Sequence, residues 1–245
     1  MPEARKASDA LIVALDGTAE QARAWADACQ RSAGWVKVGM TLYYAEGPAI
    51  VEEFTRMGYR VFLDLKLYDI PHQVERAAFE LARLGVAMLT VHASGGPEMI
   101  QAARRGAIAG AQDAGCQQPI LLAVTVLTSS SPETLEAIGI EAPMDEHVAR
   151  LARLAIANGA DGIVCSPLEA PAVRALVGNE AAIVTPGVRP SWAAKGDQRR
   201  VLTPREAILS GATHLVVGRP ITDHADPKQA VQSVVDEIAE ALSER

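Results

Sequence analysis

Two charged residues alternate with apolar ones in VFLDLKL, residues 61–67, a segment that otherwise has the composition of a buried β-strand. Side chains on a strand alternate between its two faces, so Asp64 and Lys66 are expected on the same face. Lys37 stands in another apolar run, WVKVG, where a lone ammonium ion would be costly to bury. Lys37 therefore needs a carboxylate partner, and the alternating charges, with Asp16 at the end of the first apolar run, can supply one.

These four charges, with Asp69 in the loop that follows, allow two interpretations. One is a network of ion pairs that closes one end of the fold. The other is a catalytic array, in which a lysine flanked by carboxylates stays protonated and stabilises negative charge that develops on a substrate. Four ionisable groups on three consecutive strands exceed what closure should require, so a catalytic role is favoured.

The elements that must position these charges are short apolar runs that alternate with helical segments. The expected strands are residues 11–15, 36–39, 60–65, 88–91, 120–126, 162–165, 183–185 and 215–217. The expected helices are residues 19–32, 46–57, 74–84, 98–113, 146–158, 168–177, 204–209 and 227–242. This order predicts an α/β fold in which residues 1–245 form a single (β/α)₈ TIM barrel, with catalytic groups at the carboxyl ends of the strands.

The connection after the seventh strand, residues 186–203, is about three times as long as a typical loop between a strand and a helix. It contains Gly187, Pro190, Gly196 and four basic residues. We interpret it as a lid over the site, with a tolerated surface insertion as the alternative.

Composition excludes several classes of partner. The net charge is −7, from 23 basic and 30 acidic side chains, and no Lys/Arg-rich face is evident, so no nucleic-acid partner is expected. No apolar run approaches the roughly 20 residues that span a bilayer, and the polar start lacks the pattern of a signal peptide. We therefore expect no membrane association and a cytoplasmic location.

Neither cysteine nor histidine spacing predicts a metal site or a disulfide. Cys29, Cys116 and Cys165 are far apart and form no C-x-x-C pair, and the five histidines show no metal-ligand spacing. His92, at the end of the fourth expected strand, is interpreted as a hydrogen-bonded core histidine, with a place in the wall of the site as the alternative.

Several motifs together resemble the bacterial type of orotidine 5′-phosphate decarboxylase. They are Asp64-x-Lys66-x-x-Asp69-Ile70-Pro71, Ala14-Leu15-Asp16, Val36-Lys37-Val38-Gly39, Thr185-Pro186-Gly187-Val188-Arg189 and Val217-Gly218-Arg219-Pro220. The D-x-K-x-x-D pattern alone is shared with sugar-phosphate decarboxylases and aldolases of the same superfamily. The added Ile-Pro and the long loop make the resemblance specific, and it extends over residues 11–227.

The resemblance implies decarboxylation of orotidine 5′-monophosphate (OMP) to UMP without a cofactor, the last step of pyrimidine synthesis, in a homodimer with shared active sites. Lys66 would be the proton donor, and Lys37, Asp64 and Asp69 would complete a charge array, with Asp69 supplied by the partner subunit. The implied substrate-binding residues are Asp16, Lys37, Asp64, Ile70, Gln73, Thr128, Ser131, Arg189, Gln198, Gly218 and Arg219.

Among these residues, the resemblance assigns Asp16 to the ribose hydroxyls and Ser131 to the pyrimidine edge. It assigns the phosphate to a set of four residues, Arg189, Gln198, Gly218 and Arg219. Gln73 stands where the family often has threonine, and it can still donate and accept hydrogen bonds.

Two other functions are considered. A metal-dependent 3-keto-sugar-phosphate decarboxylase or hexulose phosphate synthase could use the same barrel, and it should lose activity with a chelator. A non-catalytic nucleotide-binding barrel would have no need for Lys66, which this sequence retains.

Overall fold

The computed structural model describes residues 6–30, 32–193 and 202–244. Eight parallel strands pair in chain order, and β8 pairs with β1 to close a barrel. The strands are β1 (Leu11–Ala14), β2 (Trp35–Gly39), β3 (Arg60–Leu67), β4 (Met88–His92), β5 (Ile120–Val124), β6 (Gly162–Val164), β7 (Ala182–Thr185) and β8 (His214–Val217). The predicted (β/α)₈ barrel is confirmed, and each strand begins and ends within two residues of its prediction.

Helices follow the strands around the outside of the barrel. Those in the described ranges are α1 (Ala19–Cys29), α2 (Met40–Glu46), α3 (Ala49–Arg56), α4 (Pro71–Arg83), α5 (Gly96–Ala114), α6 (Pro132–Ala137), α7 (Met144–Ala157), α8 (Ala170–Val177), α9 (Pro204–Leu209), α10 (Arg219–Thr222) and α11 (Pro227–Ser243). Short 3₁₀ helices lie at Ala7–Asp9 and Ala93–Gly95. None of the helices described is long and apolar enough to cross a membrane.

The helix predicted over residues 46–57 corresponds to α3, which begins three residues later, and α2 was not among the predicted helices. Gly47 and Pro48 separate the two helices. Gly47 has a φ of 67°, a backbone conformation that ends a helix and that glycine adopts without strain. Pro48 then serves as the N-cap of α3.

The inside of the barrel is filled by a small apolar cluster. Its buried members are Ile12, Ala14, Trp35, Phe62, Met88, Leu122, Val184 and Val216. Alternate residues of the same strands, such as Leu11 and Val13, belong to the larger core beneath the helices. Asp64 lies two residues beyond Phe62 on β3, so the inward-facing row changes from apolar to charged at the carboxyl end of the barrel.

The base of the long loop after β7 is held together by backbone contacts. Val188 and Leu202 form an isolated parallel bridge, and the N–H of Arg189 donates to the carbonyl of Leu202 at 2.9 Å. Residues 194–201 lie outside the described ranges. The predicted lid, and Gln198 within it, therefore stay predictions.

Candidate active site

A chain of alternating charges crosses the carboxyl end of the barrel. The Nζ atom of Lys37 lies 2.8 Å from Oδ1 of Asp16 and 3.7 Å from Oδ2 of Asp64. The same Asp64 oxygen lies 2.8 Å from Nζ of Lys66. The side chains of Lys37 and Asp64 are 10% and 12% exposed, so much of their interaction is shielded from water. The predicted convergence of these four residues is confirmed.

Strand register and one glycine account for this convergence. Lys37 on β2 pairs with Ala14 of β1 and Phe62 of β3, and Gly39 pairs with Asp64. A Cβ atom on Gly39 would lie 3.1 Å from Oδ1 of Asp16 and 3.2 Å from Nζ of Lys37. Glycine at this position therefore leaves room for the ion pair.

Lys66 has an unusual backbone conformation. Its φ is 52°, and within the described ranges it is the only residue other than glycine with a positive φ. Lysine in this region is strained, and such strain persists where surrounding contacts hold it, often at functional sites. Sequence reasoning placed Lys66 on a regular strand face. The side chain of Lys66 has the predicted orientation toward Asp64, but the backbone of Lys66 is irregular.

Thr90 on β4 contacts both ends of this irregular segment, and sequence reasoning missed it. Its hydroxyl oxygen accepts a hydrogen bond from the N–H of Lys66 at 2.9 Å and donates to Oδ1 of Asp64 at 3.0 Å. A signal was present in the sequence, because a polar side chain stands two residues beyond Met88 on the inward face of an apolar strand.

Two adjoining cavities open beside the charged array, and both are lined in part by Lys37, Asp64 and Lys66. The first is otherwise largely apolar, with walls formed by Phe62, Val124, Val126, Leu127, Thr128, Val164, Cys165, Pro186 and Val216. The second includes the backbone turn after β1 and the start of α2, with Asp16, Gly17, Thr18, Ala19, Gly39, Met40, Thr41, Leu42 and Ala45 in its walls. The array therefore lies between an apolar compartment and a more open one.

His92 lies close to the array. Its side chain is half-buried, and its ring makes an edge contact with the ring of Tyr68 at 5.8 Å between centroids. Burial, and then the positive charge of Lys66, lower the pKa of His92 below its usual value. The imidazole is consequently neutral at neutral pH. His92 lines neither of the two cavities, so its place in the wall of the site stays a prediction.

Three predicted residues lie away from the array. Asp69 is exposed, its Oδ1 accepts a hydrogen bond from the N–H of Ile70 at 2.7 Å, and in the described part of the chain no ion pair joins it to Lys66. Ile70 is 64% exposed, and Gln73 is also exposed on the first turn of α4. These residues form a patch outside their own site.

The remaining predicted contacts are dispersed around the rim. Thr128 lines the apolar cavity, whereas Ser131 is the N-cap of α6, where its hydroxyl accepts from the N–H of Thr134 at 3.4 Å. Gly218 directly precedes α10, and Arg219 is exposed on its first turn. Arg189, in contrast, is buried at the base of the loop. Their contacts to substrate stay predictions.

No cluster of three or more histidine, cysteine or acidic residues is arranged to hold a metal ion among the residues described. The charged groups of the site form a chain of ion pairs in the order Asp16, Lys37, Asp64 and Lys66.

Comparisons with known proteins agree over almost the whole chain. Residues 9–234 match the model of the orotidine 5′-phosphate decarboxylase / HUMPS family. The orotidine 5′-phosphate decarboxylase of Trichlorobacter lovleyi is 48% identical over 234 residues, which cover 95% of this chain and 96% of that protein. The corresponding protein of Anaeromyxobacter sp. strain K is 51% identical over 230 residues, covering 94% and 98%. A crystal structure of orotidine 5′-phosphate decarboxylase from Lactobacillus acidophilus has a TM-score of 0.84 at 42% identity, covering 94% of this chain and 99% of that one.

Proposed function

The chain belongs to the orotidine 5′-phosphate decarboxylase family, and we propose that its array of Lys37, Asp64 and Lys66 performs the chemistry of that enzyme. The protein is a carboxy-lyase that converts OMP to UMP in pyrimidine biosynthesis. The single observation that carries the proposed mechanism is the 2.8 Å contact between Lys66 and Asp64 at the wall of the apolar cavity.

The reaction generates negative charge at C6 of the pyrimidine, and a fixed cation can stabilise it. Breaking the bond between C6 of the pyrimidine and its carboxylate carbon releases carbon dioxide and leaves the electron pair on C6. This pair lies in the plane of the ring, where the π system cannot delocalise it. The ammonium group of Lys66 stabilises the pair electrostatically and then donates a proton to C6, and the resulting amine regains a proton from solvent.

Asp64 and Lys37 prepare Lys66 for this role. Asp64 attracts the ammonium group of Lys66 through Oδ2, and the ammonium group of Lys37 lies 3.7 Å from the same oxygen. The array is thus in place before substrate binds, so little reorganisation is required during the reaction. The apolar wall of the neighbouring cavity lowers the local dielectric constant and strengthens these interactions.

We infer a homodimer in which Asp69 of the partner subunit completes each site. Support comes from the exposed position of Asp69 and from the apolar side chains beside it, Tyr68 and Ile70, which are 62% and 64% exposed. Such exposed apolar groups favour burial against another protein surface. In a two-fold dimer the same patch meets its mate, so each chain can give Asp69 to the other.

Two broader assignments accompany this proposal. We propose that residues 1–245 act as one domain, because all eight strands belong to a single closed barrel. We also propose a cytoplasmic location, because substrate and product are charged nucleotides of a biosynthetic route within the cell.

The substrate phosphate is proposed to bind at the carboxyl end of β8, where Gly218 exposes a backbone N–H and Arg219 offers a bidentate guanidinium group. Replacing Arg219 with alanine is expected to lower kcat/KM for OMP by about 100-fold or more, because charge-assisted hydrogen bonds to the phosphate are lost. The unphosphorylated nucleoside orotidine never makes these contacts, so its slow turnover should change little.

The measurement is the initial rate of decarboxylation of OMP and of orotidine by each purified variant. Arg205→Ala is a matched control, since Arg205 is an arginine at the start of a helix that pairs with Glu244. The control should leave both rates unchanged. Equal losses for OMP and orotidine in Arg219→Ala would show that Arg219 supports the structure and does not bind phosphate.

A further inference from the structure

The pairing between β3 and β4 is irregular beside the charged array. Leu63 pairs with Leu89, and the next recorded pair is Leu67 with Val91. Three residues of β3, Asp64 to Lys66, therefore lie opposite a single residue of β4, which is Thr90. In a regular parallel ladder the residues of the two strands pair one for one. This segment of β3 therefore requires hydrogen bonds other than those of the regular ladder.

The hydroxyl group of Thr90 supplies two such contacts. It is fully buried, and its oxygen lies 2.9 Å from the N of Lys66 and 3.0 Å from Oδ1 of Asp64. A hydroxyl group can accept two hydrogen bonds but donates only one. Because the Lys66 N–H must donate to the hydroxyl oxygen, the hydroxyl proton is directed to Asp64.

The two oxygens of the Asp64 carboxylate therefore have different partners. Oδ1 is held by Thr90, and Oδ2 faces the Nζ atoms of Lys66 at 2.8 Å and Lys37 at 3.7 Å. Rotation of the carboxylate would break the hydrogen bond to Thr90. The same hydroxyl group also accepts a hydrogen bond from the N–H of Lys66, the residue with the strained φ of 52°.

We propose that Thr90 is a positioning residue for the decarboxylation, because its one hydroxyl group fixes both the carboxylate of Asp64 and the backbone of Lys66. Thr90 acts through these two residues and makes no contact with the reacting atoms. The inference rests on the roles proposed above for Asp64 and Lys66. It predicts that loss of the hydroxyl group slows the chemical step more than it weakens substrate binding.

The test compares variants that differ by that hydroxyl group alone. Thr90→Val keeps the size and β-branching of the side chain, and we expect kcat to fall by about 10- to 100-fold because two hydrogen bonds at charged or strained groups are lost. KM should change by less than about threefold, since the proposed phosphate contacts are untouched. Thr90→Ser retains the hydroxyl group and should keep kcat within about threefold of the wild type.

Thr213→Val is a matched control at the other end of the barrel. The hydroxyl group of Thr213 likewise accepts from a backbone N–H, that of Ile183 at 2.9 Å, and donates to a carbonyl, that of Ile183 at 3.0 Å. Its replacement likewise removes one accepted and one donated hydrogen bond, and these lie just before β8, at the amino end of that strand. The same hydroxyl group also lies 3.0 Å from Nδ1 of His214. We expect a lower unfolding temperature and an unchanged kcat.

Each outcome has a defined meaning. An unchanged kcat in Thr90→Val, or an equal loss in Thr90→Val and Thr90→Ser, would overturn the proposal, because the hydroxyl group would then not be responsible for positioning Asp64 and Lys66.

If Thr90→Val does not fold, Thr90→Ser and Thr90→Ala make the same comparison, with kcat calculated per site that binds UMP. Lys66→Ala is measured in parallel. If it stays active, the proposed role of Lys66 fails; if it is inactive while Thr90→Val has full activity, only the inference on Thr90 fails.

Discussion

Replacing Lys66 with alanine is expected to lower kcat for OMP by about 1000-fold or more while the barrel still folds. The substitution removes both the cation that stabilises the C6 electron pair and the proton donor. The fold should survive, because Asp64 keeps its hydrogen bond to Thr90 and its neighbour Lys37. The interior cluster around Phe62 is also untouched.

Three measurements separate catalysis from folding in this variant. The decrease in OMP absorbance gives kcat, thermal unfolding gives stability, and titration with UMP counts the sites that still bind product. Lys228→Ala is a suitable control, because Lys228 is exposed on α11 and lines neither of the two cavities beside the array. An unchanged kcat would remove Lys66 from the mechanism, whereas loss of the fold would assign Lys66 to closure of the barrel.

Mixing two inactive variants is expected to restore activity. In a heterodimer of Lys66→Ala and Asp69→Ala chains, the Asp69→Ala chain keeps its own Lys66 and receives the partner's Asp69. That site is complete, and the other lacks both residues. Random exchange of equal amounts makes about half of the dimers mixed, so about a quarter of all sites should recover wild-type activity.

The mixing experiment requires independent proof of subunit exchange, for example co-purification of a tagged chain with an untagged one. Each variant alone should have almost no activity before mixing. If exchange is complete and activity stays at the level of the separate variants, Asp69 serves the site of its own chain, and the shared active site is wrong.

The barrel and its charged end follow from simple patterns. Eight apolar runs at regular intervals define the strands, and alternation along β3 places Asp64 and Lys66 on the face that already contains Phe62. Because parallel strands of a barrel end together, Lys37 on β2 is brought to the same place. These predictions depend only on periodicity and strand direction, both of which are readable from the chain.

Two local features could not be predicted from periodicity and strand direction. The left-handed backbone of Lys66 occurs together with its hydrogen bond to Thr90, a contact between residues 24 positions apart on different strands. Helix α3 begins three residues later than predicted, because Gly47, with its positive φ, and Pro48 separate it from α2. Alternation and periodicity describe regular elements, and both features are departures from regularity.

The proposed contact of Asp69 with the site of a partner subunit is only partly predictable from the sequence of one chain. Its position in a turn just before Pro71 indicates that it leaves the strand face of Lys66, and the structure confirms that the two side chains form no ion pair in the described residues. The surface that meets this patch belongs to a second chain, and the mixing experiment tests that pairing.

The most direct measurement is the rate of OMP decarboxylation by the purified protein after treatment with EDTA. The proposed array uses only the side chains of the protein to stabilise charge and to deliver the proton. The account therefore predicts equal initial rates with and without EDTA, with one UMP formed for each OMP consumed. Absence of turnover at high protein concentration, or turnover that EDTA abolishes and Mg²⁺ restores, would contradict it and favour metal-dependent chemistry on the same barrel.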